Sequence, residues 1–106
     1  MAWIVLVVAG LFEVVWAAAM KQSDGFSRLW PSVVTIVAMI VSFGLLSWSM
    51  RFLPLGTAYM IWTGIGALGA FVVGVVLLGE AITAARVLAA SLIVSGLLLM
   101  KLSGSD

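Results

Sequence analysis

The chain has 106 residues, of which 65% are hydrophobic and only 8% charged, whereas an average soluble domain holds roughly 45–50% apolar and about 25% charged residues. A surface this apolar suits a bilayer and not water, so membrane residence is expected. With no cysteine, no histidine and a net charge of +1, disulfides, imidazole metal sites, Ser-His-Asp catalysis and a nucleic-acid partner are excluded.

Four apolar stretches follow in order, about 2–20, 31–50, 56–78 and 84–102. Each is close to the roughly 20 residues that cross a bilayer core as a helix. The links between them are too short to fold alone, so the expected fold is a single all-α integral membrane domain, 1–106, of four transmembrane helices. The first stretch holds Ala17-Ala18-Ala19, which imitates a signal cleavage site, but the run is long and no Lys or Arg precedes it. It is read as a retained span.

Glu13 lies two positions past the middle of this first span, about 3 Å from it by helical rise. An acid at that depth is costly, and its default reading is functional. Every Lys and Arg lies at or near a predicted span end, so Glu13 has no basic partner for a purely structural ion pair. Such a group can exchange a proton for a cation near physiological pH. Its helical neighbours are Ala9, Gly10, Trp16 and Ala17: the small residues admit another backbone, and Trp16 offers an apolar wall and an indole N–H.

In the second span Thr35, Ser42 and Ser49 recur every seven residues on one face. They either supply hydroxyls that orient a carboxylate or make ordinary hydrogen bonds between helices. The third span opens with Tyr59 and Trp62, which suit a pocket wall or an interfacial belt equally well. Trp3, Trp30, Trp48 and Phe52, near span ends, read as interfacial anchors. Gly64-Ile65-Gly66-Ala67-Leu68-Gly69 matches the dinucleotide fingerprint in letters only, because no strand precedes it. Gly64 and Gly66 instead mark a flexible or closely packed point, read here as a hinge. Replacing both by Ala is expected to stiffen the helix without removing the acid, so that binding survives while turnover falls. Thr83 can cap the fourth span, where Ser91 and Ser95 form a small-xxx-small pair. That span is read as the dimer-forming helix, with packing inside one chain as the alternative.

Loop charges set orientation weakly. One side of the membrane carries Arg51 and Lys101, the other Lys21, Arg28 and Arg86, whereas a fixed orientation shows a clear Lys/Arg excess on the cytoplasmic side. Insertion in both directions is expected, which would let two copies form an inverted pair. A single-topology monomer or parallel oligomer is the alternative.

Phe12-Glu13-Val14-Val15-Trp16-Ala17 and Gly56-Thr57-Ala58-Tyr59-Met60-Ile61-Trp62-Thr63-Gly64-Ile65-Gly66-Ala67 resemble the small multidrug resistance family over nearly the whole chain. Within it the chain is most similar to the guanidinium exporters, since Val15-Trp16 stands where the quaternary-ammonium exporters carry Gly-Thr. The resemblance implies a multi-pass protein of the bacterial inner membrane, a proton-coupled exporter of guanidinium or guanidinyl cations. It further implies an antiparallel, dual-topology homodimer whose two Glu13 side chains share one site. By carry-over Glu13 binds substrate or protons, Trp16, Ser42 and Tyr59 orient it, Trp62 lines the pocket, and the Gly64–Gly66 segment bends. Met60 departs from the small residue expected there, which bears on access to the pocket. The alternatives are a broader multidrug or quaternary-ammonium exporter and a non-transporting membrane assembly protein. No nucleophile, metal set, cofactor site or phosphate loop is legible, so no enzyme is expected.

Overall fold

The computed structural model describes residues 1–103 and contains four helices. They are α1 (Ala2–Gln22), α2 (Leu29–Ser49), α3 (Leu55–Leu78) and α4 (Ala84–Ser103). All four are long and apolar enough to cross a membrane. The helices begin and end within two residues of the four apolar stretches. Lys21 and Gln22 continue α1, because a long polar side chain at a span end can reach the interface without ending the helix. Leu29 and Trp30 start α2 ahead of Pro31; a proline in the first turn gives up an N–H that has no helical acceptor there.

The links are held by backbone closures. Ser23 is fully buried: its hydroxyl donates to Met20 O at 2.7 Å and accepts the Phe26 N–H at 3.0 Å. That anchorage carries the chain through three left-handed residues, Asp24, Gly25 and Phe26, with φ of 50°, 72° and 65°. At the end of α3, Gly79 takes φ 71°, and the Glu80 N–H donates to Gly74 O at 2.9 Å. Thr83 caps α4 as expected, its hydroxyl accepting the Arg86 N–H at 3.1 Å.

Packing centres on α1, which lies against both α2 and α3, while the backbone of α4 approaches α3 alone. The core comprises Leu6 and Ala9 of α1, Leu46 of α2, Leu53 of the second link, and Ala58, Ile61 and Trp62 of α3. None of α4's described residues is buried; Lys101 reaches back to lie 4.5 Å from the Trp3 ring. The principal extents are 43 × 35 × 17 Å. Two packed helices with axes about 8–10 Å apart span roughly 13–15 Å between their outermost Cα atoms, so along its thinnest direction the chain is about two helices deep.

Candidate functional site

Glu13 sits half-buried on α1 where α3 comes closest, and the close approach depends on missing side chains. At Gly10, one turn earlier, an added Cβ would lie 2.6 Å from Ile65 Cγ2. At Gly66 an added Cβ would overlap the Glu13 carboxylate itself, and at Gly69 it would overlap Val14. The carboxylate therefore rests directly on the α3 backbone at Gly66. Its Oε1 is buried and has no hydrogen-bond partner, and the Trp16 indole N–H is in the same condition. A buried acceptor without a donor costs free energy that a bound cation or proton recovers.

An aromatic wall runs beside it. Trp16 meets Phe43 edge-on at 6.4 Å between centroids, Phe43 meets Trp62 at 5.6 Å, and Trp62 meets Tyr59 at 5.6 Å. Trp62 is buried and Tyr59 is half exposed at 52%, which removes Trp62 from the interfacial belt. Phe43 is not identifiable from sequence; an exposed phenylalanine inside an apolar span carries no signal of its own.

The hydroxyl stripe divides. Thr35, Ser42 and Ser49 are all fully buried, as their shared face predicts. Thr35 and Ser49 donate to their own helix, at Pro31 O and Leu45 O. Ser42 alone crosses helices, donating to Ala9 O of α1 at 2.7 Å and accepting the Trp62 N–H at 2.9 Å. Its hydrogen bonds thus go to the wall and the backbone of α1 rather than to Glu13. Ser42 fixes Trp62, and through it the aromatic row, relative to α1.

The two glycines of the expected hinge serve different neighbours. The helix is continuous through both. Gly66 faces Glu13, whereas a Cβ at Gly64 would lie 2.5 Å from Leu97 Cδ2 of α4. They are contact positions: a methyl at 66 needs the space that the carboxylate occupies, so Ala there keeps the acid but displaces it. Tyr59, Met60 and Thr63 line a groove of about 370 Å³ between α3 and α4. Ser91 and Ser95 are exposed, each hydroxyl donating to the carbonyl four residues back, so they join no other helix of this chain.

No group of three or more Asp and Glu residues fit for a metal ion occurs among the described residues. The site offers one half-buried carboxylate beside an aromatic row in which Phe43 and Tyr59 stay exposed, an arrangement able to hold a small planar cation or a proton.

The family model described as "Small Multidrug Resistance protein" matches residues 1–93. Proteins named guanidinium exporter are similar over nearly the full length. That of Salmonella typhimurium is 58% identical over 103 residues, covering 97% of this chain and 98% of its own. That of Citrobacter freundii is 59% identical, and that of Escherichia coli strain K12 58%, with the same coverage.

Proposed function

The chain belongs to the small multidrug resistance family, and from that premise we propose that it is a proton-coupled antiporter that exports guanidinium and related guanidinyl cations across the bacterial inner membrane. The observation that carries the reading is the buried, unpartnered Oε1 of Glu13 against Gly66. Guanidinium is planar, and its parallel N–H groups match a carboxylate in a two-bond fork. It is weakly hydrated, so moving it into a membrane site costs less than moving an ammonium. Protons and cation compete for the same oxygens, and exclusive occupancy converts binding into exchange. As pH falls, protonation removes the charge that holds the cation, so binding weakens.

The test is proton release from purified protein. Adding guanidinium to a weakly buffered sample should release protons in a saturable way, and adding a bulky aromatic quaternary cation should release far fewer. Equal release by both would favour the broader multidrug reading; no release by either would overturn the antiporter.

The working unit we propose is an antiparallel homodimer with two Glu13 carboxylates in one chamber, titrating as a coupled pair. The bare face of α4 supports it, since none of that helix's described residues is buried within the chain, and Ser91 and Ser95 there offer the contact to a second copy. Gly64 and Gly66 remain the proposed bending point, with helix contacts exchanged there as the chamber alternates. The near balance of Arg51 and Lys101 against Lys21, Arg28 and Arg86 supports insertion both ways. A tag at the C-terminus should then be reached from both membrane faces in comparable amounts. Labelling from one face alone would overturn a homodimer of this geometry.

A further inference from the structure

Between α1 and α3, on the Glu80 side of Glu13, lies a groove of about 320 Å³ whose lining includes Ala17, Ala67, Ala70, Phe71, Gly74 and Glu80. Its inner end adjoins the site already described: Ala17 follows Glu13 by one turn, and Ala67 follows Gly66. Its outer end is Glu80. The Glu80 side chain turns back along the helix, so that a Cβ at Gly74 would overlap its carboxylate. Gly74 is eight residues from Gly66, which is about 12 Å along a helix.

The electrostatics of this outer end are one-sided. The last turn of α3 leaves carbonyls without helical donors and carries the negative end of the helix dipole. A carboxylate is disfavoured there unless a cation joins it. The groove lining includes no Lys or Arg. Arg86 lines a different groove, between α3 and α4, which also borders on Phe71. Carboxylate, helix C-terminus and one aromatic ring thus converge on a space walled by alanines, the chemistry that receives a guanidinium: a fork onto the acid and a face for stacking.

We propose that Glu80 and Phe71 form an outer cation site that holds guanidinium about two helical turns from Glu13 and passes it along the alanine-lined groove. The site rests on the proposed guanidinium exchange for its role in transport, but its occupancy is measurable without it.

The experiment uses the full chain in lipid nanodiscs. In Glu13→Gln, guanidinium chloride should shift the Gly79 and Glu80 amide resonances saturably, sodium chloride at equal ionic strength should not, and adding Glu80→Gln should abolish the shifts. In otherwise native protein, Glu80→Gln should raise the KM for guanidinium at low salt about three- to tenfold, the lower end of electrostatic steering. The change in kcat should be smaller, Glu80→Asp should recover part of the loss, and 0.3 M salt should shrink the difference. Amide shifts that sodium reproduces, or an unchanged KM in Glu80→Gln, would overturn the outer site. Exchange that proves independent of Glu13 would refute the antiporter reading, while the amide shifts would still decide whether Glu80 holds the cation.

Discussion

Glu13→Gln should abolish guanidinium uptake into proteoliposomes driven by an imposed pH gradient, together with substrate-driven proton release. Glutamine keeps the size of the side chain and its place on Gly66, but it cannot ionise, so neither competitor for the oxygens is held. The fold should survive, because Oε1 makes no hydrogen bond that the substitution breaks. Glu13→Asp keeps the charge on an arm shorter by one methylene. Misplacing a reacting group by about 1 Å can cost on the order of 100-fold, so Asp should slow exchange by roughly 10- to 100-fold and shift its pH dependence. Glu13→Gln protein that still concentrates guanidinium while protons flow the other way would refute Glu13 as the coupling site.

Gly66→Ala should lower exchange by about tenfold or more through displacement of the same carboxylate. The atoms in the way are the far end of a flexible side chain, so the added methyl is accommodated by moving Glu13 rather than by unfolding α3. Ala in place of Gly even favours the helix by up to about 1 kcal/mol. Thermal stability in detergent should therefore hold while exchange falls. The effects of Gly66→Ala and Glu13→Asp should be non-additive, since the shorter acid already withdraws from the methyl. Gly64→Ala behaves differently: its obstacle is Leu97 of α4, so Leu97→Ala should relieve it and should do nothing for Gly66→Ala. If Gly64→Ala and Gly66→Ala respond alike to Leu97→Ala, the assignment of the two glycines to different neighbours is wrong.

These contrasts show where sequence reasoning reaches and where it stops. Four long apolar helices and the shared face of Thr35, Ser42 and Ser49 follow from the pattern along one helix, and the structure has both. Which helix each face meets is a long-range matter that periodicity does not encode. Trp62 illustrates the gap, since a tryptophan near the start of a span suits the interface or the interior equally. Only the Ser42 hydroxyl, twenty positions away in sequence, draws it inward. Gly64 and Gly66 share a reading as a break because they lie two apart. On a helix that spacing turns the two positions through about 200°, onto nearly opposite faces, and the structure uses one for α4 and the other for the acid. Phe43 gives no signal because its importance is the pair of rings it joins.

The bare face of α4 also bears on biogenesis. In the proposed dimer the second copy supplies the wall opposite Glu13, so a newly inserted copy without a partner would have its acid beside α3 and lipid chains on the other side. It would then enclose no water-filled passage, and a proton that reached Glu13 would have nowhere to leave on the far face. Surplus or orphaned chains would then sit in the membrane without leaking the electrochemical gradient that drives export, and a conducting path would exist only once two copies have met.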